Sequence, residues 1–353
     1  MLNSKTILIR VDTNSIIGMG HISRMIALGQ LCQTSGFEVH YIFSTQNEYV
    51  LKNIYDEGFI VHNYLNKFKW NSKEDQNFLA NIANQIKPNW IVLDGEHFGL
   101  EYEKFIVKNY KLLRVVDFST KHTFADILLD QNFGAEKNIY SVEPHAIKLL
   151  GMKYLLIRKE FRKMREEKNI KSRLTDFSKT TNILVTLGGG SEITDLVNYK
   201  IIKAISRLNN DKLFFTLILG PFSQKFSELK DLASSLSSKI RIEKSVNNMA
   251  KEMQYYSFSI VSGGSIMWES IYMNMPFMAI ALTKKQEPYL ENLSQKRLCF
   301  DLGCYKNLKI GTLAANIAQF VENQFTMKKN VYNFGKLNFD QNKELITNLN
   351  RSK

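Results

Sequence analysis

The sequence predicts an α/β protein made of two Rossmann-like domains that face each other across a cleft. Short apolar runs alternate with longer segments of helical period, a pattern typical of βαβ units and parallel sheets. A charged segment with little apolar periodicity, residues 158–182, separates two such series. The length of 353 residues suits two domains rather than one. We therefore expect an N-terminal domain at 1–165, a C-terminal domain at 166–325 and a polar helical tail at 326–353.

Apolar runs predict the strands of the first domain, which are Thr6–Val11, Val39–Phe43, Trp90–Asp94, Leu112–Asp117 and Ile127–Asp130. Segments of helical period predict helices between them, at about 21–36, 48–57, 73–86 and 101–109. Ligands of open α/β sheets bind outside the carboxyl ends of the strands. We therefore expect Asp12, Asp94 and Asp117, which lie at such ends, to gather at one edge of the sheet.

A second series of strands follows the charged segment, at Ile183–Leu187, Leu213–Leu219, Ile240–Glu243, Phe258–Val261 and Phe277–Ala281. Helices are predicted between them, at about 193–207, 223–235, 249–255 and 265–273. The repetition of one pattern in both halves predicts that the second domain is built like the first.

Composition narrows the class of protein. The hydrophobic fraction of 44% and the charged fraction of 23% are those of a soluble globular protein. No apolar run is long enough to cross a membrane, and the N-terminus has no signal-peptide pattern, so we expect a cytoplasmic protein without an integral membrane segment. The cysteines, Cys32, Cys299 and Cys304, are scattered without a metal-binding spacing and are predicted to be reduced and structural.

The net charge of +13 leaves several partners open. Lysines are spread along the chain among many asparagines, which favours an ordinary solvated surface, while an anionic membrane or anionic ligands are the alternatives. No basic stripe is interleaved with aromatic residues and no nucleic-acid-binding motif is present, so we expect no nucleic-acid partner.

The strongest candidate for chemistry is the glycine loop after the first strand. Gly18 and Gly20 allow the backbone to approach a ligand closely, and the helix that follows offers free N–H groups to an anion. His21 lies at the start of that helix, where the helix dipole favours a neutral imidazole that can act as a general base. The alternative is a capping or packing histidine, because the dinucleotide fingerprint GxGxxG is not completed here: position 23 is serine.

A second strand-to-glycine turn opens the second domain, where Gly188, Gly189 and Gly190 follow a predicted strand and precede a helix. Such a turn suits the close approach of a phosphate or a sugar. A flexible connection that binds no ligand is the alternative.

A third turn joins Ser262, Gly263 and Gly264 to the helix that begins near Ser265. We expect the Ser265 side chain to cap this helix, so that its hydroxyl and the free N–H groups bind a diphosphate without a lysine or a metal. Glu269 lies one turn further on and can accept hydrogen bonds from both ribose hydroxyls. Trp268 is expected to pack inward.

Other polar residues are weaker candidates. Asp94 and His97 flank a turn after a strand and can face His21, although an exposed turn histidine fits equally well. A second polar region contains Asp117, His122, Asp126, Asp130, Gln131 and Asn132, about half of which are expected to be turn and cap residues. Gln286 follows a strand and is placed to contact a sugar.

Together the three glycine motifs, in this order and separation, resemble a known family. It is the UDP-2,4-diacetamido-2,4,6-trideoxy-beta-L-altropyranose hydrolase family of the pseudaminic acid pathway, within a wider group that includes spore-coat polysaccharide proteins. The similarity covers about residues 6–305 and is carried by RVDTNSIIGMGHISRM, ADILLDQN, LLGMKYLLIRKEF, ILVTLGGGS and IVSGGSIMWES. The group is similar in fold to the GT-B glycosyltransferases, among which MurG-type enzymes hold UDP in the C-terminal domain.

The resemblance implies hydrolysis of a UDP-sugar without a metal or a cofactor, by attack of water at the anomeric carbon. His21 matches the general base. Gly188, Gly189, Ser265 and Glu269 would hold the diphosphate and ribose, and the backbone near Val246 would meet the uracil. The full set of candidate substrate-binding residues is Asp12, Gly18, Gly20, Arg24, Asp94, His97, Phe98, Asn132, Gly188, Gly189, Val246, Ser262, Gly263, Gly264, Ser265, Glu269 and Gln286.

The chain departs from the family pattern at three places. Phe98 stands where the family has a tyrosine, Asp117 is one acid where two are expected, and Lys285 replaces an asparagine. These differences leave the sugar open, and they leave a GT-B glycosyltransferase that uses a UDP-sugar donor as the alternative to a hydrolase. A nucleotide-sugar sensor without catalytic activity is a third possibility.

Overall fold

A computed structural model describes residues 5–64, 69–119, 121–167, 180–335 and 342–351. The chain divides into two compact units. Within the described residues, the first unit contains 5–17, 21–158 and 342–351, and the second contains 18–20 and 159–335. Of the charged segment predicted to connect the domains, residues 168–179 lie outside the described residues. The predicted ranges 1–165, 166–325 and 326–353 stay predictions.

The first unit is built on a parallel sheet of seven strands. In chain order they are β1 (Lys5–Val11), β2 (Phe37–Phe43), β3 (Ile60–Asn63), β4 (Trp90–Asp94), β5 (Leu112–Val115), β6 (Ile127–Asp130) and β7 (Ile147–Leu150). Helices α1 (Gly20–Thr34), α2 (Glu48–Tyr55), α3 (Lys73–Ile86) and α4 (Leu100–Val107) connect the early strands. The strand order is β3-β2-β1-β4-β5-β6-β7, so the chain leaves β1 in one direction and returns to β4 on its other side.

The centre of this sheet is buried on both faces. Ile7, Leu8 and Ile9 of β1 are all 0% exposed, as expected for a parallel strand covered by helices on each side. The crevice of such a sheet forms where the strand order reverses, which here is between β1 and β4. Their carboxyl ends lie side by side, because Val11 pairs with Asp94.

The second unit repeats this plan with a parallel sheet of six strands. They are β8 (Thr181–Thr186), β9 (Leu213–Leu219), β10 (Ile240–Lys244), β11 (Phe258–Ser262), β12 (Phe277–Ala281) and β13 (Phe300–Cys304). The helices are α5 (Lys159–Glu167), α6 (Glu192–Ile205), α7 (Phe226–Leu236), α8 (Met249–Glu252), α9 (Ser265–Tyr272), α10 (Glu287–Gln295) and α11 (Ile310–Gly335). The order β10-β9-β8-β11-β12-β13 reverses between β8 and β11.

The fold class predicted from the sequence is confirmed as two parallel-sheet α/β domains. Each strand predicted from an apolar run is present, although β5 ends at Val115, so that Asp117 lies just beyond it. The strands β3, β7 and β13 were not predicted from the sequence. Each lies at an edge of its sheet and mixes apolar with polar residues, since only one flank of an edge strand is covered.

The last helix, α12 (Lys343–Asn350), returns to the first unit. The indole N–H of Trp90 donates to the carbonyl of Leu349 at 2.9 Å, and Tyr154 hydrogen-bonds to Glu344. Helix α12 is therefore fixed on the first unit. Among the residues that the structure describes, no helix combines the length and apolar character that crossing a membrane requires.

Candidate functional site

The crevice position of the first unit brings two histidine–aspartate pairs together. Asp12 follows β1 and Asp94 ends β4, and these two strands are neighbours in the sheet. His21, in the first turn of α1, is paired with Asp94, while His97, after β4, is paired with Asp12. Each imidazole therefore reaches the carboxylate that belongs to the other strand.

His21 connects the buried sheet edge with the solvent. Its Nδ1 atom is 2.8 Å from Oδ1 of Asp94. The Asp94 side chain is 0% exposed and that of His21 is 22% exposed. Burial by itself raises the pKa of Asp94, but the neighbouring Arg24 and His21 outweigh burial and hold that pKa well below its ordinary value. Asp94 is therefore a carboxylate at neutral pH.

The proton of the neutral imidazole lies on the nitrogen that faces Asp94. Nδ1 of His21 is also 3.0 Å from Nη2 of Arg24, and one nitrogen cannot donate to Asp94 and accept from Arg24 together. Nη2 of Arg24 already donates to Oδ1 of Asp94 at 2.6 Å, so it does not need Nδ1 of His21 as an acceptor. Nδ1 therefore carries the proton and donates to Asp94. Nε2 of His21 keeps its lone pair and can accept a proton.

Arg24 is fixed between two carboxylates. Its Nε donates to Oδ2 of Asp94 at 2.7 Å, and its Nη1 donates to Oδ1 of Asp117 at 2.7 Å. Asn132 adds a further donor to Asp117 at 2.8 Å and also donates to Asp130. Arg24 is 7% exposed and its guanidinium is engaged by Asp94 and Asp117, so this predicted substrate-binding residue lies behind His21 and holds the aspartate that orients it.

The second pair, Asp12 and His97, is anchored on a buried arginine. Oδ2 of Asp12 is 2.9 Å from Nε2 of His97, and Oδ1 accepts from Arg10 at 2.7 Å and from Tyr64 at 2.9 Å. Burial raises the pKa of Asp12, but Arg10 and then His97 more than compensate, so that the pKa is about 2. Asp12 is ionised at neutral pH, which makes Nε2 of His97 the donor.

The arginine on which this network depends was not predicted from the sequence. Arg10 is 0% exposed, contacts both Asp12 and Asp75, and stacks on the Phe98 ring with 4.8 Å between the guanidinium carbon and the ring centre. A buried charge without partners would cost several kcal/mol, which explains the carboxylates around it. The sequence does show that Arg10 lies inside an otherwise apolar strand. A buried charge needs partners of opposite charge, so this feature could have predicted the carboxylates around it.

Phe98, another predicted substrate-binding residue, is 4% exposed and lies between Arg10 and His97. Its ring centre is 4.1 Å from that of His97. The Phe98 ring thus makes packing contacts at the position where the sequence resemblance predicts a tyrosine hydroxyl.

The glycine turn after β8 is packed against a neighbouring turn. Gly188 and Gly190 have positive φ values of 89° and 93°, which favour glycine. A Cβ atom at Gly190 would collide with the backbone N of Ser223, and one at Gly220 would collide with Gly189. The backbone of this turn is thus shaped first by contact with protein, although its position at the carboxyl end of β8 matches the crevice of the second unit.

The turn after β11 ends in the N-terminus of α9. The expectation that the Ser265 side chain caps this helix is wrong, because the N-cap is Gly264, which has no side chain to accept from the first backbone N–H groups. The hydroxyl of Ser265 instead donates to the carbonyl of Gly20 at 3.0 Å, and that of Ser262 donates to the carbonyl of Leu187 at 3.1 Å. The first backbone N–H groups of α9 therefore receive no side-chain cap.

Three further predicted residues lie near this turn or at the next strand ends. Glu269, in α9, is 4% exposed, and Trp268 is 3% exposed, which confirms that the indole packs inward. Gln286 accepts from the backbone N of Leu282 at 2.7 Å and lies against Gly263. Val246 follows β10 and is half-buried.

The remaining candidates are the glycines before His21 and the residues of the predicted second polar region. Gly18 has φ of 77° with open space around its missing side chain, and Gly20 begins α1. His122 pairs with Ser141 and Glu143 at a half-exposed position apart from the His21 network, so part of the predicted second polar region is structural.

Within the described ranges, no cluster of histidine, cysteine and acidic residues is suited to a metal ion. The three cysteines are free thiols.

Comparison with known proteins gives distant relatives. No protein-family model matches the chain. An uncharacterized protein of Methanocaldococcus jannaschii is 28% identical over 341 residues, which cover 92% of this chain and 67% of that protein. The UDP-2,4-diacetamido-2,4,6-trideoxy-beta-L-altropyranose hydrolase of Campylobacter jejuni is 25% identical over 294 residues, which cover 82% of this chain and 96% of that protein.

Solved structures show the fold more clearly. The crystal structure of Acinetobacter baumannii MurG matches with a TM-score of 0.64 at 12% identity, covering 98% of this chain and 99% of MurG. The spinosyn rhamnosyltransferase SpnG, complexed with thymidine diphosphate, matches with a TM-score of 0.63 at 11% identity, covering 94% and 95%. The fold is that of the GT-B glycosyltransferases.

Proposed function

We propose that this chain is a hydrolase that releases UDP from a UDP-linked acetamido-deoxy sugar, in nonulosonic acid or surface glycan biosynthesis. The observation that carries the proposal is the pair formed by His21 and Asp94. The carboxylate is buried and ionised, it holds the N–H of the ring at 2.8 Å, and it leaves a basic nitrogen on a partly exposed imidazole. This arrangement suits the activation of water.

The reaction needs one proton transfer at the base. Nε2 of His21 takes a proton from water as the water oxygen bonds to the anomeric carbon. The bond between that carbon and the UDP oxygen breaks, and UDP leaves with the electron pair. The negative charge of Asp94 stabilises the imidazolium that forms, and the proton then passes to solvent. No metal or cofactor takes part in the proposed reaction.

Arg24, Asp117 and Asn132 are proposed to position the base rather than to touch the sugar. Arg24 spans Asp94 and Asp117, so the carboxylate behind His21 cannot rotate away without breaking buried hydrogen bonds. Asn132 fixes Asp117 in turn. An imidazole held in one tautomer and one orientation loses less entropy when it meets its substrate.

The second unit is proposed to bind UDP. Gly188 and Gly189 after β8, and Gly264 before α9, are proposed to offer backbone N–H groups at the crevice position of a parallel sheet. Ser262 and Gly263 complete the turn, in which the N–H of Gly263 already donates to the carbonyl of Ile280 at 3.1 Å. Glu269 would accept hydrogen bonds from the ribose, Val246 would contact the uracil and Gln286 would approach the sugar. These roles, together with those of Ser265, Gly18 and Gly20, are supported by the family resemblance of the motifs.

The relative from Campylobacter jejuni, a hydrolase by name, covers most of this chain and supports the same reaction class. A glycosyltransferase that moves the sugar from UDP to an acceptor is the second candidate. It is favoured by the likeness in fold to a rhamnosyltransferase, since the base that activates water in one reaction would activate an acceptor hydroxyl in the other.

The experiment that separates the two candidates uses no acceptor. Purified protein is incubated with a panel of UDP-linked amino sugars, including UDP-2,4-diacetamido-2,4,6-trideoxy-β-L-altropyranose, and UDP release is followed over time. A hydrolase releases UDP over many turnovers with water as the only nucleophile. Release that is nearly absent until an acceptor is added would contradict hydrolysis and favour the transferase.

A further inference from the structure

An aromatic residue that the function does not use stands beside His97. Trp70 is 39% exposed, whereas the other two tryptophans, Trp90 and Trp268, are 4% and 3% exposed. The ring centre of Trp70 is 4.9 Å from that of His97, with the planes tilted by 42°. A partly exposed aromatic ring beside an oriented imidazole can offer an apolar wall next to a hydrogen-bonding group.

The residue that follows Trp70 is held by hydrogen bonds to two other segments. The backbone N of Asn71 donates to Oδ2 of Asp75 at 2.7 Å, and the Asn71 side chain accepts from the backbone N of Gly99 at 3.2 Å. Asp75 is 0% exposed and forms an ion pair with Arg10 at 3.1 Å. The position of Trp70 therefore depends on the same buried guanidinium that holds Asp12.

His97 is fixed on its other side in a way that requires glycine. Its ring lies over Gly95, whose φ is 142°, and a Cβ atom there would be 2.5 Å from Cε1 and 3.0 Å from Nδ1 of His97. In the neutral ring, Nε2 donates to the ionised Asp12 and Nδ1 therefore keeps its lone pair. Among the residues that the structure describes, no group is hydrogen-bonded to this Nδ1 atom, and the side chain is 18% exposed.

We propose that Trp70 and His97 form a subsite for an acetamido group of the sugar. Nδ1 of His97 accepts a hydrogen bond from the amide N–H, and the methyl group packs on the Trp70 ring. An acetamido group places a donor and an apolar methyl a few bonds apart, which matches an acceptor beside an aromatic wall. The inference rests on the proposed function and adds to it the residues that select the substituent.

The first test follows the fluorescence of Trp70. The hydrolysis-impaired variant His21→Ala keeps the substrate intact, and the same variant carrying Trp70→Phe reports the two buried tryptophans alone. Subtracting the second signal from the first isolates Trp70. We expect UDP-2,4-diacetamido-2,4,6-trideoxy-β-L-altropyranose to protect the Trp70 component from acrylamide quenching at least about twofold, and UDP alone to leave it unchanged, because UDP lacks the acetamido groups.

The results of this test and of the UDP-release assay on wild-type protein are independent. UDP release without protection of Trp70 would overturn the subsite and leave the hydrolase standing. Protection without UDP release would support the subsite and contradict the hydrolase. The absence of both would overturn both.

The second test uses two replacements of one histidine. His97→Gln places an amide near the former Nε2 and keeps a donor to Asp12, but it removes the acceptor at Nδ1. His97→Asn places its amide near the former Nδ1. We expect His97→Gln to raise KM about tenfold with kcat retained, since one hydrogen bond to the bound ligand is lost, and His97→Asn to raise it less.

A merely structural role for His97 would give a different outcome. Both variants would then lose thermal stability in proportion to their loss of activity, and KM would not separate Gln from Asn. Equal KM values for the two variants and the wild type would equally overturn the subsite.

Discussion

At the carboxyl ends of β1 and β4, the first unit gathers imidazoles, carboxylates and guanidinium groups joined by hydrogen bonds. At the equivalent ends of β8 and β11, the second unit has glycine turns, serine hydroxyls and the uncapped start of α9. The strand orders reverse at these same places in both sheets. Two sheets with the same plan thus present different chemistry at the same position.

The two edges, the first at the carboxyl ends of β1 and β4 and the second at those of β8 and β11, satisfy different physical requirements. Charges buried at the first edge must be paired, and the pairing fixes the tautomer and direction of His21 and His97. The second edge offers backbone N–H groups, which suit an anion and need no titratable side chain. We therefore propose that the first unit carries out proton transfer and that the second binds the nucleotide.

The largest effect is expected at His21. His21→Ala should lower kcat for UDP release by about 10²-fold or more, because the base is lost, while UDP affinity measured by calorimetry stays unchanged. A variant that loses UDP affinity as strongly as turnover would break the division between the two edges.

The same replacement at a buried and at an exposed aspartate tests whether His21 depends on Asp94. Asp94→Asn should also lower kcat, and adding it to His21→Ala should cause little further loss, because the two residues act as one unit. Asp56→Asn in the same unit, where the side chain is 60% exposed, should leave kcat unchanged.

The next effect concerns acid stability of the first edge. The pKa of Asp12 is about 2, below its ordinary value, because Arg10 and His97 outweigh the effect of burial. Its ionised form therefore stabilises the folded state fully above about pH 4, and this contribution of about 2 kcal/mol is lost as pH falls towards 2. Asp12→Asn should flatten the decline of unfolding free energy over this range, measured by urea unfolding.

Asp211→Asn is the matched control for the acid experiment. The Asp211 side chain is 96% exposed and lies in the second unit, so solvent screens its pairing with Lys239. This variant should keep the wild-type slope. An Asp12→Asn variant with an unchanged slope would mean that Asp12 is not the paired carboxylate described above.

A smaller effect is expected at the second edge. Glu269→Gln should weaken UDP binding about tenfold, because charge-assisted hydrogen bonds to the ribose become neutral ones, while kcat at saturating substrate is retained. Glu228→Gln makes the same change on α7 at a side chain that is 74% exposed, and UDP affinity should not change. A fall in kcat without a fall in UDP affinity would contradict the role of Glu269 in ribose binding.

The smallest effect compares two glycines. Gly190 and Gly36 both have positive φ, 93° and 86°, so alanine is strained at either position. Only at Gly190 would the new Cβ atom meet another turn, at Ser223, whereas Gly36 has nothing within 4 Å. Gly190→Ala should therefore destabilise the protein by about 1 kcal/mol more than Gly36→Ala in urea unfolding. Equal losses would show that the second-edge turn adapts freely.

Much of the fold follows from the sequence because buried parallel strands are continuous apolar runs. Residues 90–93 (WIVL) and 277–281 (FMAIA) show this pattern plainly, and both lie in strands. The edge strand β3, with the sequence IVHN, carries no such run. Its place in the sheet is decided by pairing with β2, which sequence periodicity does not encode.

The candidate site is predictable where the local chain determines it. The glycines around His21 and the aspartates at strand ends are visible in sequence, and the structure brings His21 and Asp94 together. The network around Arg10 was not visible, because its partner Asp75 lies 65 residues away and meets it only through the packing of α3. The role of Ser265 was mistaken because the N-cap position shifted by one residue, to Gly264.

In the proposed reaction, His21 activates water for attack at the anomeric carbon, and water labelled with ¹⁸O shows where the new oxygen goes. The wild-type protein is incubated with UDP-2,4-diacetamido-2,4,6-trideoxy-β-L-altropyranose in H₂¹⁸O without an acceptor, and the products are weighed by mass spectrometry at early times. We expect multiple turnovers that yield unlabelled UDP, with ¹⁸O in the sugar. UDP that carries ¹⁸O, which requires attack at phosphorus, or no UDP without an acceptor would contradict the account.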